Sequence, residues 1–202
     1  MSRSEAESLL RQADREPDRV RRHLLVAAAL GLSLTAEPIV VGGTAEEYWT
    51  GAEYHPTDLD VCAPLGPEDE KALRDLGFER DGMHWVRDRG HTVAVQFPDT
   101  RIDGDESRVA TERFGSATAR IISLDDLYLD RLRQATANEH ERSVEFMSAL
   151  AVVAARYDDI DWPYVRRRLG EIGKEEPSIG ASMRRIDRRL RRRVRSKLSR
   201  PE

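Results

Sequence analysis

Apolar residues recur at helical spacing in two segments near the N-terminus. The first extends from Ser4 to about Ala13 and begins with a capping-box pattern, in which Glu7 follows Ser4. The second has Pro17 at its start and Gly31 at its end, with an apolar face between them. Both segments are predicted to be helices, and Pro17 is placed in the first turn of the second.

Short apolar runs and period-two alternation follow, and these patterns predict strands. Two further helices are predicted between the strands, from Thr44 to about Trp49 and from Pro67 to about Leu76, with a loop over Gly51–Pro56. The pair Met83–Arg87 and His91–Phe97 is predicted to form a hairpin turning at Asp88-Arg89-Gly90. The predicted strands are Ile39–Val41, Asp58–Ala63, Met83–Arg87, His91–Phe97, Val109–Arg113 and Ala117–Ile122.

From Ser123 onward only helical patterns remain. They predict a helix after Ser123, another over Glu139–Tyr157, a third opened by Asp161-Trp162-Pro163, and an Arg-rich last helix. Strands with interleaved helices followed by helices alone indicate an α+β fold. We therefore divide the chain into an α/β head with N-terminal helices, residues 1–122, and a helical C-terminal region, residues 123–202.

Two carboxylates lie on the strand that follows the Gly42-Gly43 turn. The turn comes directly after the buried strand Ile39–Val41 and precedes a helix. Because strand side chains alternate between faces, Asp58 and Asp60 are predicted to project side by side. A helix N-terminus beside a carboxylate pair is suited to binding phosphates and a divalent cation.

Composition excludes several classes of protein. Of 202 residues, 35% are charged and 6% aromatic, and the longest apolar run is too short to span a bilayer. The single cysteine, Cys62, excludes an internal disulfide and favours a reducing compartment, so a cytoplasmic location is expected. Net charge is −4, but residues 178–202 carry +8 and residues 1–177 therefore carry −12. The basic tail can bind nucleic acid, or it can pack on the acidic body or on another subunit, and the sequence favours neither nucleic-acid binding nor intramolecular packing.

These motifs resemble those of the nucleotidyltransferase superfamily related to DNA polymerase beta. Gly42-Gly43-Thr44-Ala45 followed by Thr57-Asp58-Leu59-Asp60-Val61 is similar to the pattern of its small prokaryotic branch, which includes AbiEii-type toxins. The resemblance implies a minimal mixed sheet flanked by helices, followed by a helical half that Ile121–Leu127 would open. It covers roughly residues 20–160.

The resemblance implies transfer of a nucleoside monophosphate from an NTP, such as ATP, to an acceptor. Gly42, Gly43 and Thr44 would then bind the triphosphate, and Asp58 and Asp60 would hold Mg²⁺. Among basic residues of the helical half, Arg131 is the first candidate for a triphosphate contact, with Arg133 and Arg142 as further candidates. The acceptor is left open between RNA (tRNA in toxin-like relatives), a protein hydroxyl and a small molecule, and the basic tail favours RNA.

The superfamily often has a third carboxylate on a neighbouring strand, and here Gln96 is expected at that position. An amide carbonyl binds metal weakly and cannot act as a base. Asp99, just beyond Pro98, is an alternative. The competing hypothesis is therefore a catalytically degenerate binding module, for example one partner of a toxin–antitoxin pair. His55 is expected to be a solvated loop residue, and His84 and His91 are expected to be strand residues without a role.

Overall fold

The computed structural model describes residues 3–51 and 57–198, with side chains as far as residue 196. Most of the predicted loop over Gly51–Pro56, including His55, lies outside these residues. The chain divides into two compact units, Met1–Ser123 and Leu124–Glu202.

The first unit is built on a mixed sheet of seven strands in the order β3-β4-β5-β2-β1-β7-β6. The pairs β1–β7 and β2–β5 are parallel, and the other neighbouring strands are antiparallel. Its helices are α1 (Arg3–Ala13), α2 (Arg19–Gly31), α3 (Gly42–Thr50) and α4 (Pro67–Asp75), with a short 3₁₀ turn over Glu106–Arg108. Its strands are β1 (Ile39–Val40), β2 (Leu59–Cys62), β3 (Glu79–Asp81), β4 (His84–Arg89), β5 (His91–Gln96), β6 (Ala110–Phe114) and β7 (Ala117–Ile121).

The core of the first unit lies between α2 and the sheet. Helix α2 packs against β7 and β1, and it also contacts α1, α3 and β6. Because elements pack around it in this way, its residues from Leu24 to Leu30 are all buried. Helix α1 packs against α2. The inner strands β1 and β2 contribute Val40, Leu59 and Val61 to this core, and these three fully buried side chains share one face of the sheet.

Several elements of this unit differ from the sequence-based prediction, most of them at their ends. Pro17 lies outside α2, because Asp18 is the N-cap and its carboxylate accepts a hydrogen bond from the Arg21 N–H at 2.7 Å. Helix α3 begins at Gly42 rather than Thr44, so the glycines belong to its first turn. Strand β3 was not predicted, since all three of its residues are exposed and show no apolar alternation.

The second unit contains four helices among the described residues. They are α5 (Leu124–Ala135), α6 (Val144–Arg156), α7 (Trp162–Glu175) and α8 (Pro177–Leu198). The predicted helix over Glu139–Tyr157 is too long, because Ser143 caps α6 through a hydrogen bond from the Phe146 N–H. Helix α8 packs against the other three, and its apolar stripe of Met183, Ile186, Leu190 and Val194 is buried.

The α+β prediction is therefore confirmed: a mixed sheet with helices is followed by helices alone. Within the described ranges, no helix has both the length and the apolar character required to cross a membrane.

Candidate active site

The candidate site is centred on the turn between β1 and α3. Val41 is the N-cap of α3, with extended backbone angles, and its N–H donates to the Asp60 carbonyl at 2.9 Å. The antiparallel pairing of Val40 with Val61 places β2 directly beside this turn. The first backbone N–H groups of α3 and the Asp60 side chain are thereby brought together. At its other end α3 is anchored by the Trp49 indole N–H, which donates to the Ile122 carbonyl at 2.9 Å.

Position 42 requires a glycine for two reasons, its backbone conformation and the close approach of Asp60. Its φ of +63° lies in the left-handed region, which residues with a Cβ rarely adopt. A Cβ added at Gly42 would lie 2.1 Å from Asp60 Oδ2 and 2.9 Å from its Cγ. The missing side chain therefore makes room for a carboxylate at the start of α3.

The two aspartates have the predicted alternation. Leu59 and Val61 are fully buried, whereas Asp58 and Asp60 are each partly exposed. Strand β2 begins at Leu59, so Asp58 lies in the bend immediately before it rather than within the strand. Both carboxylates remain accessible from the edge at which α3 begins.

Gln96 lies at the position expected for a third carboxylate. The parallel register of β2 and β5 pairs it directly with Asp60. Asp99 is not at that position: its carbonyl accepts from the Ala63 N–H at 3.2 Å, three residues further along the strand pair, about 10 Å away. The Asp99 carboxylate instead accepts a hydrogen bond from the Thr100 N–H at 2.6 Å.

His84 is a site residue that the sequence did not reveal. The antiparallel register of β4 and β5 pairs His84 with Gln96, so His84, Gln96 and Asp60 form a row across three strands on one face of the sheet. His84 Nε2 lies 3.4 Å from Asp58 Oδ2. His84 is a strand residue, as expected, and this contact places it beside Asp58; a role for His84 in the site stays a prediction.

The hairpin turn explains why His84 was missed. The turn was predicted over three residues ending at Gly90, but the observed register is centred on Gly90 itself, with Arg89 paired with His91. Gly90 has a φ of +83°, and a Cβ there would lie 2.5 Å from the Asp14 carbonyl oxygen. Counting outward from Gly90 pairs position 84 with position 96. The glycine was therefore the sequence signal from which the pairing of His84 with Gln96 could have been predicted.

Thr44 is directed into the protein. It is fully buried, and its Oγ1 lies 2.7 Å from Nδ1 of His23 on α2. Burial lowers the pKa of His23 to about 4, with Arg22 and Arg19 adding to the effect and Asp58 opposing it. His23 is therefore neutral at neutral pH, and its hydrogen bond fixes Thr44 behind the turn.

Arg131 belongs to the second unit. It lies on α5, is buried, donates from Nη1 to Gln134 Oε1 at 2.8 Å and contacts Asp130 at 3.6 Å. A triphosphate contact of Arg131 stays a sequence-based prediction.

Comparison with known proteins gives distant matches of structure. The sequence matches no protein-family model and no curated protein. An antigenic nucleotidyltransferase-like protein from Paracoccidioides brasiliensis is 11% identical, with 91% of this chain and 94% of that chain covered and a TM-score of 0.47. The fold is similar to this nucleotidyltransferase-like protein. It is also similar to JHP933 from Helicobacter pylori, at 13% identity, 98% coverage of both chains and a TM-score of 0.44.

The resemblance implies a Mg²⁺ ion, and the residues at the turn fit one in part. Mg²⁺ in nucleotide sites is commonly held by one or two carboxylates, with waters and substrate phosphates as its other ligands. Asp58 and Asp60 can supply the carboxylates. Across residues 3–51 and 57–196, no three or more His, Cys, Asp and Glu side chains are grouped closely enough to hold a metal. An ion here would therefore depend on substrate oxygens for the rest of its ligands.

Proposed function

We propose that this protein is a Mg²⁺-dependent nucleotidyltransferase, which moves a nucleoside monophosphate from an NTP to an acceptor hydroxyl. The hydroxyl oxygen bonds to the α-phosphorus, the bond from that phosphorus to the bridging oxygen breaks, and pyrophosphate leaves. Such reactions depend mainly on positioning and charge neutralisation, which a small site can provide.

One observation carries the proposal: the Asp60 carboxylate occupies the space that a Cβ at Gly42 would fill. This contact joins the start of α3, where backbone N–H groups favour anions, to a carboxylate pair that favours a cation. An NTP with its metal needs both kinds of contact within a few ångströms. If β2 were only a solvated edge strand, or the Gly42-Gly43 turn only an ordinary turn, this contact would not be required.

The side chains then have distinct roles. Backbone N–H groups of Gly42 and Gly43 donate to phosphate oxygens, and Asp58 and Asp60 hold the metal. When bound, Mg²⁺ would neutralise charge on the triphosphate. His23 and Thr44 fix the turn from behind through their buried hydrogen bond. Gln96 cannot accept the proton of the acceptor hydroxyl, so that proton passes to solvent and transfer is slow.

A second function, nucleotide binding without transfer, is favoured by Gln96. It is paired with Asp60, where an amide replaces the carboxylate that the superfamily resemblance implies. A protein of this kind would bind Mg²⁺ and NTP and release them unchanged.

Labelled nucleotides distinguish the two functions. Transfer predicts that label from the α-phosphate of an NTP becomes attached to an acceptor in total RNA or protein, whereas label from the γ-phosphate is released as pyrophosphate. Asp58→Asn/Asp60→Asn should abolish incorporation. Gln96→Glu should raise it if transfer is limited by the missing base, with Gln134→Glu as a control for added charge. Nucleotide binding with no incorporation by wild type or Gln96→Glu would favour the binding module.

A further inference from the structure

Seven of the eight arginines of α8 fall into two groups by the contacts they make. Arg184, Arg185 and Arg189 are used within the second unit. Arg184 donates to the Leu169 carbonyl at 2.9 Å, Arg185 contacts Glu139 at 2.7 Å, and Arg189 contacts Glu141 at 2.9 Å. Intramolecular packing therefore accounts for the N-terminal part of the basic helix.

The second group lines a groove of about 560 Å³ further along the helix. Its walls are Arg188, Arg191, Arg192, Arg195 and Ser196. The spacing of three and four residues places these side chains on one face of α8, opposite the buried stripe that contains Ile186 and Leu190. Arg188 and Arg192 are exposed, and within the described residues neither forms an ion pair with a carboxylate.

Aromatic rings hold the other two arginines of the groove in place. The Arg191 guanidinium lies 4.4 Å from the centre of the Trp162 ring, and one of its nitrogens is 3.6 Å from Asp187. The Arg195 guanidinium lies 5.7 Å from the Tyr157 ring centre, and its Nε donates to the Tyr157 hydroxyl. Stacking of this kind restricts long side chains before a ligand arrives, which lowers the entropy lost on binding.

We propose that this arginine groove, Arg188, Arg191, Arg192 and Arg195, binds the phosphate backbone of a nucleic acid. The four residues span about 10 Å along the helix axis, a length over which one nucleic acid strand, with one phosphate per about 3.4 Å, presents about four phosphates. Arginine's planar donors match phosphate oxygens, and of the four arginines Arg191 contacts a carboxylate, that of Asp187, at 3.6 Å. The proposal concerns binding by the second unit and does not rest on the proposed transfer reaction.

The salt dependence of RNA binding tests the proposal quantitatively. The probe is a short single-stranded RNA with a fluorescent end, and its anisotropy is measured with the full chain. Four phosphate contacts predict a slope of about −2.8 for log affinity against log salt, so raising salt from about 50 to about 200 mM should weaken binding about 50-fold. Arg188→Gln/Arg192→Gln should halve the slope and reduce the salt effect to about sevenfold.

A charge-matched control separates the groove from net charge. Arg166→Gln/Lys174→Gln removes two exposed basic residues elsewhere in the same unit and should leave the slope unchanged. Asp58→Asn/Asp60→Asn should also bind RNA like wild type, so failure of the transfer proposal would not affect this result. Equal loss in the groove and control variants would overturn the proposal. Binding of poly-glutamate as tight as that of RNA would also overturn it, since a general site for acidic chains would then be present.

Discussion

Gly42→Ala perturbs the contact on which the candidate site depends. The new Cβ would lie 2.1 Å from Asp60 Oδ2, far inside van der Waals contact, so the carboxylate must leave its position. The substitution also places a Cβ on a backbone with φ of +63°. Under the proposed function, displacement of Asp60 should weaken metal and nucleotide binding, whereas backbone strain should lower stability alone.

Gly115→Ala is the matched control, because Gly115 has a φ of +66° and among the described residues no atom lies within 4 Å of an added Cβ. Left-handed strain costs about 1–2 kcal/mol at either position. For a chain of this length each kcal/mol lowers the melting temperature by about 2–4 °C. Gly42→Ala should lower the free energy of unfolding by more than Gly115→Ala does, because Asp60 must also be displaced.

Thermal unfolding with Mg²⁺ and saturating NTP provides the assay. At a ligand concentration about 100 times Kd, wild type should gain about 2.7 kcal/mol of stability. Gly115→Ala should show the same gain from its lower starting point, and Gly42→Ala should lose most of it. If Gly42→Ala retains the full Mg²⁺-dependent gain, the contact with Asp60 has no part in nucleotide binding and the reasoning is refuted.

Further predictions concern the residues around the turn. Because the pKa of His23 is lowered in the folded chain, the unfolded chain takes up a proton between pH 6.5 and about 4 that the folded chain does not. The free energy of unfolding should therefore be full above pH 6.5 and fall by about 3 kcal/mol as the pH drops to about 4. Urea unfolding across this range should show this decrease, and His23→Gln should make the free energy of unfolding less dependent on pH. Thr44→Val leaves the buried His23 nitrogen without its partner and should destabilise the fold by about 1–3 kcal/mol in urea unfolding, whereas Thr44→Ser should not. His84→Ala removes the group that contacts Asp58 and should weaken Mn²⁺ binding about tenfold in the presence of NTP. Electron paramagnetic resonance measures this affinity, and an unchanged affinity would contradict a role of His84 in the site.

The sequence was sufficient to predict the turn and the carboxylate pair, because both follow from local rules. A glycine pair after an apolar run indicates a sharp strand-to-helix turn, and residues two apart on a strand share a face. Asp60 beside Gly42 therefore needed only the pairing of two neighbouring strands. Gln96 was expected on the neighbouring strand from the superfamily resemblance alone, and the register of β2 and β5 pairs it with Asp60.

His84 could not be placed in this way, because its position depends on the register of a hairpin. Moving the turn by one residue along the chain changes every cross-strand partner. In the observed register Gly90 lies at the turn, where its backbone approaches the Asp14 carbonyl and Arg87 forms an ion pair with the Asp14 carboxylate. The division among the α8 arginines is equally non-local. Glu139 and Glu141 were predicted to be in a helix, and their ion pairs with Arg185 and Arg189 depend on how the chain turns before α6.

We propose above that the Gly42 turn and the two aspartates together form a metal-dependent nucleotide site. The most direct test is the thermal stability of wild type and Asp58→Asn/Asp60→Asn with each of the four NTPs, with and without Mg²⁺. We predict that at least one NTP stabilises wild type, that this stabilisation requires Mg²⁺, and that it disappears in the double variant. Equal stabilisation of both proteins, or none of wild type by any NTP, would contradict it.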